Sequence, residues 1–171
     1  MAEPDREAPS YIWLRECAAS ILAAARRDAN DAFAPAMSAL ILTALMAETF
    51  FDVLGNHIDP HWPNKGRRFS RYKRLRVFRL ALDIDGDIKA RPYRSVADAF
   101  DFHDLVVRGR IEADEKREAL ALSEAELAAY VIGEDWRDFC TLANAEKIFE
   151  DVEAVINGLS NSAGLKTFAP S

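Results

Sequence analysis

The sequence predicts an all-α fold, a four- to five-helix bundle forming a single domain over residues 1–171, with a core of roughly 10–160 and a tail of 161–171. Three observations point there. Apolar residues recur at helical spacing through most of the chain, Pro, Ser and Gly stand where helices begin and end, and no stretch alternates with the period of a strand. A chain of 171 residues, 50% hydrophobic and 29% charged, is the size of one ordinary domain and can bury a core. That composition excludes wholesale disorder, and seven Gly and seven Pro exclude collagen-like and low-complexity classes.

Ser10 to Asn30 reads as the first helix, with Pro9 just outside and Ile12, Ile21 and Leu22 on an apolar stripe among alanines. Pro35 opens a second helix that is apolar nearly all round, hence central and buried, with Gly55 at the place of a left-handed cap. A short connection makes these two an antiparallel pair. Residues 55–66, with two Pro, two Gly, two Asn, His57 and His61, read as a loop. Arg67 to Leu82 reads as a basic amphipathic helix, and Asp83 to Ser95 as a second loop. Ser95 is expected to cap a helix running through Val107, with Asp98 in its first turn and a stop near Gly109. Ser123 and Glu126 form a capping box for the next helix, which Gly133 interrupts. Asp135 to Leu159 reads as a long final helix, with Phe139, Leu142, Ile148, Val152, Val155, Ile156 and Leu159 as its core stripe.

Cys17 and Cys140 are too few for a disulfide scaffold or a cysteine zinc site, and read as small buried hydrophobes in a reducing compartment. The acidic N-terminus lacks the pattern of a signal peptide, and the longest apolar run, Met37 to Ala47, is short of the roughly 20 residues that span a bilayer. A cytoplasmic protein without a membrane partner is expected. The net charge of −6 conceals a division: residues 65–110 hold 13 of the 22 Lys and Arg but only 6 of the 28 Asp and Glu. A basic middle inside an acidic body suggests an anionic partner for one face.

Lys65, Arg67, Arg68, Arg71, Lys73, Arg74, Arg76 and Arg79 fall within fifteen residues, interleaved with Phe69, Tyr72 and Phe78. Arginine grips phosphate bidentately and aromatic rings stack on unpaired bases, so the segment reads as an RNA or nucleotide-phosphate patch. The alternative is a solvated helix face whose aromatics belong to the core. A second constellation is His103-Asp104-x-x-x-Arg108-Gly109. Histidine exchanges protons near neutral pH and arginine stabilises charge growing on a phosphate. The two lie about 140° apart on an ideal helix, so they converge only if the helix ends between them or a second subunit completes the site. The alternative is an Asp104–Arg108 ion pair with His103 on a polar face.

The second helix ALILTALMAETFFDVLGN, the charged helix, FDFHDLVVRGR and the closing WRDFCTLANAEKIFEDVEAVINGL occur in an order that resembles the HEPN superfamily over roughly residues 10–160. The resemblance implies an all-α, often dimeric protein. Active members are metal-independent ribonucleases whose motif Arg and His assist attack of an RNA 2′-hydroxyl on its own phosphodiester. By position, His103 falls on the family's Arg, Asp104 on its polar residue, Arg108 on its His, and Glu48 on an acidic residue that braces the motif. The His and Arg are exchanged, so the resemblance implies either a degenerate, non-catalytic HEPN protein or a rearranged site in which His103 still moves protons. It further implies a homodimer of bacterial toxin or defence type, an RNA or nucleotide ligand, a possible antitoxin partner and no cofactor. A dimeric scaffold or protein-interaction module is the alternative. A minor one is a metal-dependent HD-type phosphohydrolase using His57, His61, His103 and Asp104, although His57 and His61 are expected in an exposed loop. Asp83-Ile-Asp85-Gly-Asp87 is not a calcium loop, because its glycine stands at position four and Arg94 at position twelve.

Overall fold

The computed structural model describes residues 9–28, 32–109, 113–130, 132 and 136–165. Among these there is no strand, and eight α-helices are present, more than the four or five expected. The additional helices are short, one inside the 55–66 segment read as a loop and one at Ala113–Leu120, between the helix that stops near Gly109 and the one that starts at Ser123.

α1 (Ser10–Arg27) follows Pro9, and Arg26 and Arg27 stand at the negative end of its dipole. α2 (Phe33–Ile58) is the central helix and packs against α1, α5 (Tyr93–Arg108) and α8 (Leu142–Ala163). Tyr11 near the start of α1 meets Phe50 near the end of α2, ring centroids 5.4 Å apart, so the pair is antiparallel as expected. The one buried hydroxyl on α2, Thr43, donates to the Ala39 carbonyl one turn back. At 26 residues α2 is long and apolar enough to cross a membrane by length and composition, which the Met37–Ala47 run alone did not suggest. Half of its most apolar window is buried inside this fold.

α2 does not end at Gly55. The glycine is helical, and the indole of Trp62 lies against it. Trp62 opens a one-turn helix, α3 (Trp62–Lys65), followed by a 3-10 turn at Gly66–Arg68, where a loop was expected. A Cβ placed on Gly55 would come within 2.1 Å of the indole, and one on Gly66 within 2.5 Å. The ring is clamped from two sides and cannot swing away. Gly55→Ala should therefore destabilise the protein by about 1–3 kcal/mol through overpacking, despite alanine's better helix propensity. Gly158→Ala, at an exposed position of α8 with nothing near the new methyl, should instead stabilise by up to about 1 kcal/mol. Opposite signs in urea unfolding check this packing.

α4 (Arg71–Ala81) begins four residues later than predicted because Ser70 caps it, accepting from the Lys73 amide at 3.2 Å. Its core face joins an aromatic cluster: Phe78 packs on Trp62 and Phe51, and Tyr72 on Phe100. Ser95 is not a cap. α5 starts at Tyr93, and the buried Ser95 hydroxyl donates to Asp151 at 2.5 Å, beside a two-point contact from Arg91. Gly109, at φ 68°, ends α5 in the left-handed region, as predicted.

α6 (Ala113–Leu120) and α7 (Glu124–Tyr130) follow, the latter with the expected box: the Ser123 amide donates to Glu126 and the Glu126 amide to Ser123 Oγ. The final helix splits into a 3-10 turn, Trp136–Phe139, and α8. Thr141 causes the break, extended at ψ 150° with its hydroxyl accepting from the Asn144 amide. α8 continues to Ala163, into the predicted tail, and Gly164 caps it at φ 69°. Gly133, Asn30 and Asp135, and the end of the tail, lie outside the described residues. Cys140 is buried, which pushes its thiol up to about 11, whereas Cys17 is exposed, contrary to expectation.

Candidate functional site

The predicted site residues meet where α2, α4 and α5 come together, and the residue at their centre is one assigned to the RNA patch. Arg71, the first residue of α4, turns inward on the stripe it shares with Leu75 and Phe78. Its Nη2 donates to Asp104 Oδ1. Its Nη1 lies 3.3 Å from His103 Nδ1 and 3.5 Å from Glu48 Oε2. The guanidinium carbon sits 5.1 Å from the centre of the Phe100 ring. Burial opposes the charge of Arg71, but the Asp104 carboxylate outweighs it and holds the guanidinium above its ordinary pKa.

Asp104 is fully buried, and His103 is 8% exposed. His103 Nδ1 is also 3.3 Å from Asp104 Oδ1, so either tautomer has a partner: Nδ1 accepts from Arg71 or donates to Asp104. Arg108 lies 3.5 Å from the same Asp104 oxygen, with its side chain about half exposed. The structure thus brings together Glu48, Arg71, His103, Asp104 and Arg108. The helix does not end between His103 and Arg108. Both lie within 3.5 Å of Asp104 Oδ1 instead, so the i,i+4 ion pair exists, and His103 is buried in the cluster and not on a polar face. Two arginines face two carboxylates, and the cluster carries no net charge apart from His103. Asp104 Oδ2 is buried without a hydrogen-bond partner among the described residues.

The basic segment divides into three kinds of side chain. Arg67, Arg68, Lys73 and Arg76 are exposed, and Lys73 lies over the Phe69 ring. Lys65 is exposed but bonded to Asp59 at 2.7 Å. Arg74 is folded down, with Nη1 2.9 Å from Asp52 and Nε donating to the Gly66 carbonyl. Arg71 and Arg74 are therefore corrections to the predicted patch: helix periodicity turns Arg71 into the core, and Asp52 neutralises Arg74. Arg79 likewise serves the fold, bonding the Gly86 and Ile84 carbonyls and stacking on Tyr93.

A second buried ionic cluster lies one turn earlier on α5, and sequence reasoning did not find it. Asp101 accepts from the Tyr72 hydroxyl at 2.6 Å and from Lys116 of α6, and both Asp101 and Lys116 are fully buried. Burial raises the Asp101 carboxyl despite these donors. Burial and the neighbouring Asp101 carboxylate raise the Tyr72 phenol. Asp98, beside the pair, is pushed up to about 6 by burial, against the pull of Lys116 and Arg94. The signal was present in the spacing, since Lys116 shares the inward face of α6 with Ala119 and Leu120.

His57 sits on the last turn of α2 with Nε2 3.0 Å from the Ala163 carbonyl, and His61 precedes α3; both are exposed, His57 on a helix and not in the expected loop. Among the described residues no group of three or more His, Cys, Asp and Glu side chains converges as a metal would require. Comparison with protein-family models, curated proteins and solved structures returns no match.

Proposed function

We propose that this chain is a HEPN-like helical protein that binds RNA through its α3–α4 surface and does not cleave it. The observation carrying this reading is the division of the basic segment: Arg67, Arg68 and Arg76 stand exposed with no carboxylate partner among the described residues, while Arg71 is spent on covering the motif's His103 and Asp104. Unneutralised surface arginines are what a phosphate backbone needs. A general base needs hydrogen-bond reach to the proton it takes, and His103 is nearly closed off and held by Arg71. The resemblance adds a two-fold partner and a defence role to this proposal.

One contact supports a second reading, a rearranged nuclease: Arg71 places a guanidinium 3.3 Å from His103, an Arg–His pair that the exchanged motif does not supply along the chain. Single-stranded RNA incubated with the protein in EDTA separates the two. The expected result is RNA retained on the protein and intact, unchanged by His103→Ala. Cleavage that leaves cyclic phosphate ends and is lost in His103→Ala would establish the nuclease instead.

A further inference from the structure

Beside the exposed arginines lies an open pocket of about 250 Å³ lined by Asp52, Asn56, Trp62, Pro63, Arg67 and Arg74. It is separate from the His103 cluster and is formed where the C-terminal part of α2 meets α3 and the 3-10 turn. Its size is below the roughly 300–1,000 Å³ of pockets that enclose drug-sized ligands, and suits a single base. Its walls are fixed. Trp62 is wedged against Gly55 and Gly66, and Arg74 is pinned between the Gly66 carbonyl and Asp52.

The polar groups left over have a definite pattern. Asp52 uses one oxygen, Oδ1, to accept from Arg74 and, at 3.4 Å, from the Trp62 indole. Its Oδ2 has no donor among the described residues, and Asp52 is exposed. Asn56 is one helical turn further along the same face of α2, also exposed and with no side-chain hydrogen bond among the described residues. Arg67 is exposed, and its guanidinium makes no hydrogen bond or ion pair among the described residues. The pocket therefore offers a carboxylate oxygen and an amide on one side and a cation on the other. Guanine presents adjacent ring and exocyclic N–H donors together with carbonyl and ring-nitrogen acceptors. Adenine and cytosine put a bare ring nitrogen, an acceptor, where the carboxylate would stand. Uracil has only one donor.

We propose that this pocket is a guanine-nucleotide subsite, in which Asp52 and Asn56 read the donor edge of the base and Arg67 holds its acceptors or the attached phosphate. The subsite deepens the RNA-binding reading by giving it a base preference. An arginine at such a position pairs with guanine acceptors or phosphate equally well, and the discrimination comes from Asp52, which would face an acceptor in the wrong base.

Calorimetric titration of the full chain with the 5′-monophosphates of guanosine, adenosine, cytidine and uridine tests it. Guanosine monophosphate should bind on the order of tenfold more tightly than the other three. Arg67→Ala should weaken it on the order of tenfold, and Asp52→Asn should erase the preference. Asn56→Ala, which disturbs no ion pair, should halve the discrimination or more, and a thermal melt shows that each variant is folded. Absence of any heat from guanosine monophosphate, equal binding of all four nucleotides, or binding untouched in folded Arg67→Ala and Asp52→Asn overturns the subsite. Salt-dependent RNA binding without a preference for guanine retires the subsite alone. Guanosine monophosphate binding without RNA binding retires the RNA reading alone.

Discussion

Lys116→Ala is expected to lower the unfolding free energy by about 3–5 kcal/mol, the range for removing one partner of a buried ion pair. Lys116 and Asp101 are both fully buried, and the Tyr72 hydroxyl is Asp101's other donor. Without the ammonium, Asp101 has one neutral hydrogen bond against a full desolvation penalty. The loss depends on pH in a definite direction. Burial already raises the Asp101 carboxyl, and without Lys116 it rises further. A raised carboxyl favours the protonated folded state, so the variant suffers most at high pH and recovers as the pH falls through the new value. Replacing both members, with Lys116→Met and Asp101→Leu, should cost much less, leaving mainly the Tyr72 hydroxyl without an acceptor, about 1–3 kcal/mol. Urea unfolding at pH 5 and pH 8 measures all of this. A pH-independent loss below about 1 kcal/mol for the single variant would contradict a buried ionic pair.

Arg71→Ala comes next, with an expected loss of about 3–5 kcal/mol. It strips Asp104 of its buried cation and leaves the half-exposed Arg108, 3.5 Å away, as a weak substitute. Arg71→Lys should recover less than half of this. A single ammonium cannot fork to Asp104 with one nitrogen and to His103 and Glu48 with the other. Arg68→Ala, on the same short stretch but exposed, should change stability by no more than about 0.5 kcal/mol. If Arg71→Ala is as mild as Arg68→Ala, Arg71 belongs to the surface patch after all.

The helical class was legible because it rests on local signals. The Ser123–Glu126 box and Gly109 act within one turn of themselves and stand where the sequence puts them. Ser95 and Gly55 were misread for the opposite reason. Their roles depend on Asp151 and Trp62, one 56 residues away in sequence and the other across a helix end. His103, Asp104 and Arg108 were found as a group because they are neighbours on one helix, and Glu48, on α2, joined them only through the family resemblance. Arg71 was recognised as important but given the wrong place, since charge counting treats every arginine in a basic run alike. Its register with Leu75 and Phe78 marks it as buried. Lys116 carries the same kind of register signal without a conspicuous motif around it. What the sequence could not supply is the pairing across helices that decides which charges are spent inside the protein and which remain for a ligand.

Salt dependence separates the arginines spent inside the protein from those left for a ligand. Binding of single-stranded RNA should weaken steeply with salt, with a slope of about −0.7 for each phosphate contact on a log–log plot. Arg67→Ala, Arg68→Ala and Arg76→Ala combined should flatten that slope by about 2 and leave the fold intact. Arg74→Ala, whose charge Asp52 already neutralises, should barely change it. RNA binding whose slope survives the triple substitution, or no binding even at low salt, would contradict the account.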